Sequence, residues 1–337
     1  MIKKPSTIVI VHNKYDGHAD DVAEKCKSYG AKVVSFLIDE YFSGSEINLN
    51  ISDSEYSLAV NKNSVNLQGK NIRSIYARDF YFPRCPSDSK LPDELMYAEK
   101  RAALSGFFKC LKNKFRINSP WEERFADNKI LQMSAAKEIG IKIPKTLVTN
   151  NPAEFIKFYE CCDEQVVIKQ LSEICLIEET ESEPINEPEI ADEKAYGFYT
   201  SKVTSDFIKN IDQIKIAPCM FQEYIPKVAD IRSTVIGEEI FSALIKSQDY
   251  KESTVDFRKK LDIPMEKYSL PEGLKYKLLR FLGIWNLEFA ACDFALTEDN
   301  ELVFFEANVS GNWLWIEDAL NFPISKAIAK KLVEEHD

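Results

Sequence analysis

Apolar and polar segments alternate over the first forty residues in the order of a small α/β domain. Ser6–His12 is a continuous β-branched run, which is typical of a buried parallel strand. A polar turn precedes a predicted helix over Asp21–Ser28, which Gly30 closes, and a second strand is predicted over Lys32–Ile38. A strand, a helix and a strand in succession favour a parallel sheet covered by helices.

The same patterns predict the elements of the rest of the chain. The predicted elements are strands over Tyr56–Val60, Ser64–Leu67, Ser74–Ala77, Gln165–Leu171, Tyr199–Val203 and Phe221–Pro226, a hairpin of Asp230–Gly237 with Glu239–Lys246, and helices over Glu94–Lys112, Ser205–Ile211, Pro271–Gly283 and Pro323–Glu335. Asp127 is predicted to cap a further helix that ends at Gly140. Leu95 is assigned to the apolar stripe of the helix over Glu94–Lys112, with Leu104 and Phe108.

A second hairpin is predicted near the C-terminal end, where two apolar runs flank the polar tetrad Thr297–Asn300. Pairing of residue 296 with residue 301 would set its register. Side chains repeat every two residues along a strand, so Asp293, Glu306 and Asn308 then share one face. We expect these three side chains to converge.

Two carboxylates and an amide oxygen are hard ligands suited to Mg²⁺, which keeps some waters and binds nucleotide phosphates. Acids inside apolar strands are costly unless a cation or hydrogen bonds compensate them. The alternative is that Asp293 points to solvent while Glu306 and Asn308 only end the hairpin. The register of the hairpin distinguishes the two interpretations, because a shift of one residue would turn Asp293 to the opposite face.

Two lysines occupy unusual positions for a solvated side chain. Lys129 lies in the first turn of a predicted helix, where a cation is unfavourable for the helix dipole, although exposed lysines tolerate this. Lys169 lies inside a short apolar strand, where it must extend to solvent or meet an anion such as phosphate. The segment 173–195 that follows is acidic and predicts a mobile, exposed loop.

Arginines next to acids mark three further segments. Arg78–Arg84 follows an apolar run and is either a surface loop with an ion pair or a substrate contact. Asp230 and Arg232 share a strand face, and Asp256 and Arg258 repeat the spacing in a loop. Each pair could be a simple salt bridge, which stabilises a surface little.

Composition excludes several classes of protein. The chain has 337 residues and a net charge of −11, which argues against a nucleic-acid surface. The eight cysteines form no Cys-x-x-Cys pair, and three histidines offer little for histidine-based catalysis. No run approaches a membrane span or a signal sequence, so a cytoplasmic protein is expected.

The ordered set of motifs resembles the ATP-grasp ligase superfamily over roughly residues 110 to 335. It resembles most the graspetide ligases, the microviridin-type enzymes that join side chains of ribosomally made precursor peptides through omega-ester or omega-amide bonds. The segments that carry the resemblance are Asn118-Ser-Pro, Asp127-Asn-Lys129, Ile143-Pro-Lys-Thr146, Lys169, Phe221-Gln-Glu-Tyr-Ile225, Asp230-Ile-Arg232, Asp256-Phe-Arg258, Asp293, Glu306-Ala-Asn308 and Asn308-x-x-Gly311-x-Trp-x-Trp-Ile-Glu317.

The resemblance implies an α/β chain with an ATP-grasp fold and a small N-terminal pre-ATP-grasp domain. The implied divisions are an N-terminal domain over 1–112, a central ATP-grasp subdomain over 113–215 and a C-terminal subdomain with the metal site over 216–337. The acidic loop 173–195 departs from the short, glycine-rich loop usual in the superfamily. Because acids repel a triphosphate, we expect residues 178–193 to project away from the nucleotide.

Site roles follow from the same resemblance. It implies that Lys129 and Lys169 contact ATP phosphates and that Asp293, Glu306 and Asn308 bind Mg²⁺. The remaining implied roles are adenine contacts at Gln222, Glu223, Tyr224 and Ile225, a place near the ribose for Asp230, and contacts of Arg232 and Arg258 with the transferring phosphoryl group or activated carboxylate.

The activity implied is ATP-dependent macrocyclisation of a precursor peptide with a leader and a core. An Asp or Glu side chain would become an acyl phosphate, which a Thr or Ser hydroxyl or a Lys amine attacks. The alternatives are a carboxylate–amine ligase that adds an amino acid to a protein or small molecule, and a non-catalytic ATP-binding scaffold. The resemblance also suggests a homodimer. The net charge and the lack of long apolar runs predict no nucleic-acid or membrane partner.

Overall fold

The computed structural model describes residues 7–334 with the exception of 44, 53, 54, 62, 63, 79, 81–84, 86–89, 173–175, 178–194, 197, 198 and 261. Most of the acidic segment 173–195, including its expected projection away from the nucleotide, therefore lies outside the described residues. The same holds for most of Arg78–Arg84.

Strands and helices are interspersed along the described chain. The strands are β1 (Thr7–His12), β2 (Lys32–Leu37), β3 (Ile47–Ser52), β4 (Glu55–Val60), β5 (Val65–Gln68), β6 (Ile72–Ala77), β7 (Phe115–Ile117), β8 (Thr146–Thr149), β9 (Val166–Lys169), β10 (Leu176–Ile177), β11 (Ala195–Tyr196), β12 (Ser201–Lys202), β13 (Cys219–Glu223), β14 (Ala229–Ile236), β15 (Glu239–Ile245), β16 (Met265–Tyr268), β17 (Phe289–Leu296) and β18 (Leu302–Asn308). The helices are α1 (Gly17–Ser28), α2 (Ile38–Phe42), α3 (Leu91–Cys110), α4 (Pro120–Ala126), α5 (Lys129–Glu138), α6 (Pro152–Cys161), α7 (Ser205–Lys209), α8 (Glu272–Ile284), α9 (Leu314–Leu320) and α10 (Ile324–Val333).

The N-terminal sheet is parallel, in the order β2-β1-β6-β7. The β-branched run of β1 is buried on both faces, as its composition predicts. Ile8 and Ile10 pack in one core with α1 and α10, whereas Val9 and Val11 pack in another with α3. The C-terminal helix α10 thus covers the first sheet, which joins the two ends of the chain.

The strands β3, β4 and β5 form a three-stranded antiparallel sheet, β10 pairs with β11, and two further antiparallel sheets follow the N-terminal part of the chain. The smaller has the order β12-β9-β13-β8, and the larger has the order β16-β15-β14-β17-β18. The predicted hairpin around Gly237–Glu238 is confirmed as β14 and β15. A cleft opens between the two sheets, and residues of β9, β13, β14, β17 and β18 line it.

Two local predictions were wrong. Asp127 does not cap α5: its neighbour Asn128 does, accepting the N–H groups of Ile130 and Leu131 at 3.1 Å. Asp127 instead ends α4, a helix that starts at a proline and that the pattern did not predict. In α3 the side chain of Leu95 is 59% exposed, and the buried face is formed later, by Leu104, Phe107 and Phe108.

No helix within the described part of the chain is long and apolar enough to cross a membrane.

Candidate active site

The C-terminal hairpin brings the predicted acids together through a register that the pattern did not predict. Residue 296 pairs with 302 rather than 301, and a bulge shifts the pairing so that Asp293 lies directly opposite Glu306. Without the bulge, Phe305 would face Asp293 and Glu306 would turn to the opposite side. The extra residue therefore restores the convergence that the sequence predicted from the wrong register.

Asp293 is held by an arginine and an amide. Arg232, opposite it on β14, donates from Nη1 to both carboxylate oxygens at 3.2 and 2.8 Å. Asn308 donates from its side-chain nitrogen to Oδ2 at 3.0 Å. Burial raises the pKa of the Asp293 carboxyl to about 6, with a further increase from Glu306, although Arg232 opposes it.

Glu306 lies among three cations. Lys129 Nζ lies 3.3 Å from its Oε2, and Arg258 Nη1 lies 4.0 Å from its Oε1. Burial raises the pKa of the Glu306 carboxyl, but Lys169, Lys129 and Arg258 together outweigh burial and hold it below its ordinary value. Glu306 is therefore a buried carboxylate that stays ionised.

Lys169 extends from β9 over the ring of Phe305, 4.6 Å from Nζ to the ring centre. Burial lowers the pKa of its ammonium group, Glu306 opposes this change, and Lys129 reinforces it. A lysine at this place lacks full compensation for its charge, which an anionic ligand would supply. Both predicted lysines thus lie beside Glu306, on separate elements.

The adenine candidates line the cleft between the two sheets. The backbone N–H groups of Glu223 and Tyr224 donate to the carbonyls of Lys145 and Gln165 at 3.0 and 2.8 Å. The Glu223 carboxylate accepts the backbone N–H of Lys145 at 2.8 Å, so it fastens the strand to β8. Two of the four candidates therefore use their N–H groups inside the protein.

Gln222 and Ile225 differ from their neighbours. The buried Gln222 amide donates to Thr146 Oγ1 at 3.0 Å, and its Oε1 has no hydrogen-bond partner among the described residues. Ile225 lines the cleft immediately after the strand. Gln222 thus brings to the cleft wall an amide oxygen without a hydrogen-bond partner among the described residues, and Ile225 lines the cleft beyond the end of β13.

Asp230 and Arg232 do not pair with each other. Asp230 accepts from Lys227 Nζ at 2.7 Å, and both side chains are almost completely buried. Burial raises the pKa of the Asp230 carboxyl, and Lys227 opposes the rise. Its second oxygen, Oδ2, has no partner among the described residues, and Asp230 lines the same cleft.

Asp256 and Arg258 form the ion pair that their spacing suggested. Arg258 donates from Nε and Nη2 to the two oxygens of Asp256 at 2.9 and 2.7 Å. The Asp256 carboxylate raises the pKa of the guanidinium above its ordinary value. Asp256 also accepts the backbone N–H of Thr200 at 3.0 Å, so it ties its own loop to the segment just before β12.

A second, larger cleft of about 920 Å³ shares two of its lining residues with the first. Arg258 and Phe257 line both clefts. Arg232 and Asn308 line only the larger one, and Asp293 and Glu306 only the smaller. The acids and arginines predicted from the sequence therefore mark the junction of two clefts.

Two buried amides support this junction; the sequence analysis did not single out Gln132, and it named Asn118 in a motif without assigning it a role. Gln132 donates from Nε2 to Ala307 O at 2.8 Å and accepts Ala307 N–H at 2.9 Å, which fixes the residue between Glu306 and Asn308. Asn118 donates to Phe289 O and Val309 O at 2.9 and 2.8 Å. An internal polar residue between apolar ones was the available signal.

The donor set fits Mg²⁺. Asp293 and Glu306 are opposed, buried acids, and Asn308, whose side-chain nitrogen donates to Asp293, carries a third possible oxygen ligand on the same strand face. Within the described residues, no group of three His, Cys, Asp or Glu side chains is placed to hold a metal. A site of two carboxylates and one amide leaves the remaining positions to water and phosphate, the pattern that Mg²⁺ prefers.

Comparison with known proteins agrees with this architecture. Residues 6–124 match the family model of the MvdD pre-ATP grasp domain. No curated protein sequence matches the chain. The fold is similar to that of a RiPP-associated ATP-grasp ligase from Chryseobacterium gregarium, solved with ADP and a leader and core peptide, at a TM-score of 0.86 and 24% identity, covering 98% of each chain.

Two macrocyclases from Microcystis aeruginosa MRC are also similar. MdnC, solved with the precursor peptide MdnA, has a TM-score of 0.81 and 25% identity over 97% of this chain and 99% of its own. MdnB has a TM-score of 0.77 and 26% identity over 98% of this chain and 99% of its own. These likenesses confirm the predicted α/β class and the ATP-grasp fold behind a pre-ATP-grasp domain.

Proposed function

We infer that this chain, an ADP-forming ATP-grasp ligase with an MvdD-type pre-ATP-grasp domain, closes rings in a ribosomally made precursor peptide. Three solved relatives support the substrate class. The Chryseobacterium ligase is in complex with ADP and a leader and core peptide, and MdnC is bound with its precursor peptide. The ATP-grasp ligase PsnB, which has a TM-score of 0.75 and 19% identity to this chain, is complexed with a minimal precursor, Mg and ADP. Whether the bond formed is an ester or an amide depends on the peptide.

The observation that carries this proposal is the junction of the two clefts at Arg258. A nucleotide in the smaller cleft would present its terminal phosphate to the same guanidinium that faces the larger cleft. A peptide carboxylate in the larger cleft would reach that phosphate from the other side. Such an arrangement suits direct phosphoryl transfer between two bound substrates.

The smaller cleft is assigned to ATP. We place the phosphates at Lys129 and Lys169, because both ammonium groups lie beside Glu306 and Lys169 lacks full compensation for its charge. Adenine would lie along residues 222–225, with the Ile225 N–H as the donor, because the N–H groups of Glu223 and Tyr224 are already used.

Asp230 and the metal candidates complete the nucleotide site. The Oδ2 atom of Asp230 is not assigned a hydrogen bond within the described residues and would accept a ribose hydroxyl. Asp293, Glu306 and Asn308 would hold Mg²⁺, which neutralises phosphate charge when it is bound. In this site Arg232 already holds the Asp293 carboxylate, and Lys129 already holds that of Glu306.

Arg232 and Arg258 are assigned to the peptide carboxylate and the phosphoryl group in transfer. Planar guanidinium groups bind such oxygens through two parallel hydrogen bonds. Asp256 holds Arg258 through two bonds, and Asp293 holds Arg232, so both arginines are oriented before substrate binds.

The reaction proceeds in two steps. A side-chain carboxylate oxygen of the peptide attacks the γ-phosphorus of ATP, which forms an acyl phosphate and releases ADP. A hydroxyl or amine of the same peptide then attacks the acyl carbon, loses its proton and expels inorganic phosphate. Each ring therefore costs the peptide one water and consumes one ATP.

Three coarser features belong to the same proposal. We place the domain boundaries so that each sheet stays whole, after β7 and after β13, which modifies the divisions at 112 and 215. A homodimer and a cytoplasmic location, where ATP is available, are proposed with it.

The test is incubation of the protein with ATP, Mg²⁺ and the peptide encoded by a short neighbouring reading frame that carries Thr and Glu or Asp clusters. The expected result is a peptide that has lost one water per ring, with ADP formed. A peptide that gains the mass of an amino acid would indicate the carboxylate–amine ligase. ATP-dependent thermal stabilisation without ADP would indicate the scaffold.

A further inference from the structure

Arg78, at the end of the first sheet, contacts the loop that follows the metal candidates. Its Nη1 donates to the carbonyl of Ser310, and its Nη2 donates to the side-chain oxygen of Asn312. Its own backbone N–H donates to Val11 O at 3.0 Å, which fixes it to the neighbouring strand β1. One side chain therefore joins the N-terminal domain to residues more than two hundred positions away.

The contacted loop forms part of the larger cleft. Ser310, Gly311 and Asn312 all line that cleft. Arg232, the arginine that holds Asp293, donates from Nη2 to the Asn312 carbonyl at 3.2 Å. A change in the position of Asn312 would therefore reach Arg232 directly.

The loop is packed too closely to tolerate displacement toward the site. A Cβ atom at Gly311 would lie 2.8 Å from Arg232 Nη2 and 2.9 Å from Asn308 Cβ. Glycine is therefore required for the close approach of this backbone to the two functional side chains. The contacts on the opposite side of the loop therefore determine how close Gly311 lies to Arg232 and Asn308.

Arg78 is itself buttressed within the N-terminal domain. Its Nε lies 3.4 Å from Asp16 Oδ2, and Asp16 caps helix α1. His18, in the first turn of α1, packs edge-on against Trp313 at 4.9 Å between ring centres. Arg78 and the first turn of α1 thus both contact the segment 310–313, and Asp16 links them to each other.

We propose that Arg78 is a positioning residue, through which the N-terminal domain holds the loop Ser310–Asn312 and with it Arg232 in the geometry needed for phosphoryl transfer. This rests on the proposed function of the junction between the clefts. The planar guanidinium meets two acceptors and an acid at once, which a lysine ammonium cannot do in the same geometry. The pre-ATP-grasp domain is then a part of the catalytic architecture.

The test compares Arg78→Gln and Arg78→Lys with wild type in the full-length protein. A lost charged hydrogen bond of this kind is expected to lower kcat for ring closure by about tenfold. The KM for peptide and the affinity for Mg²⁺–ADP should stay within about twofold of wild type, because neither cleft loses a direct ligand. Arg78→Lys should recover part of kcat by keeping one of the two contacts.

Arg73 provides the matched control. It also donates across the domain boundary, to the carbonyl of Val333, but it contacts the end of α10 instead of the loop. Arg73→Gln should leave kcat within about twofold of wild type. An equal fall in kcat for Arg73→Gln and Arg78→Gln would overturn the proposal, because any domain contact would then suffice.

Hydrogen exchange separates this proposal from the proposed function. Without substrate, Arg78→Gln should speed exchange of the amides of residues 311–315 by about tenfold, and Arg73→Gln should not. Unchanged exchange or an unchanged kcat in folded Arg78→Gln would overturn the positioning role. If Arg78→Gln fails to fold, Asn312→Ala removes one of the same contacts and decides by the same two criteria. A precursor left intact by wild type would refute the proposed function alone.

Discussion

Replacing Gln132 with methionine tests whether the metal candidates are positioned from outside their own hairpin. Strand β18 is an edge strand, so Ala307 has backbone groups that face away from β17. Gln132 donates to one of these groups, accepts from the other and also donates to Ala126 O at 2.7 Å. Methionine has a similar size but offers none of these bonds.

The expected loss of stability follows from the three bonds. Gln132 is 1% exposed, so water cannot replace them in the folded protein. Each bond contributes about 1 kcal/mol, and unsatisfied backbone groups add to the cost, so we expect unfolding to become easier by about 3 kcal/mol. Because Glu306 and Asn308 flank Ala307, the concentration of Mg²⁺ needed for half-maximal ADP formation should rise as well.

Urea denaturation and a Mg²⁺ titration of ADP formation measure the two effects. Gln213→Met is the matched control, because this glutamine is exposed and a surface substitution changes stability by about 0.5 kcal/mol or less. If Gln132→Met unfolds like the control and keeps the Mg²⁺ requirement of wild type, the reasoning about the edge strand is refuted.

Three further predictions concern single side chains. Asp293→Asn and Glu306→Gln should each lower ADP formation by about a hundredfold or more and should also lower the urea midpoint, because each leaves a cationic partner uncompensated; a folded, active variant would remove that residue from the metal site. Burial lowers the pKa of His18 to about 4, so the unfolded chain takes up its proton first and stability should fall as the pH drops from about 6.5 to 4; His18→Gln should flatten this profile in pH-dependent denaturation. Lys227→Met should cost about 3–5 kcal/mol in unfolding free energy by leaving the buried Asp230 uncompensated, and a second change of Asp230→Asn that restored none of it would contradict this cause.

The predicted hairpin shows what strand periodicity can and cannot provide. The alternation of apolar and polar residues located both strands and placed Asp293, Glu306 and Asn308 on one face. It could not locate the bulge, because Phe305 follows another phenylalanine and nothing in the sequence marks it as an extra residue. In the structure Phe305 lines the cleft. The correct face was thus reached from an incorrect register.

The hydrogen-bond partners of buried amides cannot be predicted from the pattern of apolar and polar residues. Gln132 and Asn118 are polar residues that each bond to backbone groups more than 170 positions away. A sequence shows that such residues interrupt apolar segments, but it does not show which backbone groups they will meet. The contacts of Arg78 with Ser310 and Asn312 were unpredictable for the same reason.

Capping shows a more local limit. Asp127 and Asn128 are both favourable N-cap residues, and the choice between them depends on where the preceding helix α4 ends. That helix is short and begins at Pro120, so its signal was weak. The long, strongly periodic helix α10 was predicted with the correct inward residues Ile324, Ala327, Ile328 and Leu332.

Transfer of oxygen from peptide to phosphate tests the central claim most directly. A precursor whose side-chain carboxylates carry heavy oxygen would be incubated with the protein, ATP and Mg²⁺, and the inorganic phosphate would be analysed by mass spectrometry. Activation as an acyl phosphate predicts one labelled oxygen in each phosphate released, with one phosphate for every ring closed. Phosphate without label, formed while rings close, would contradict the account.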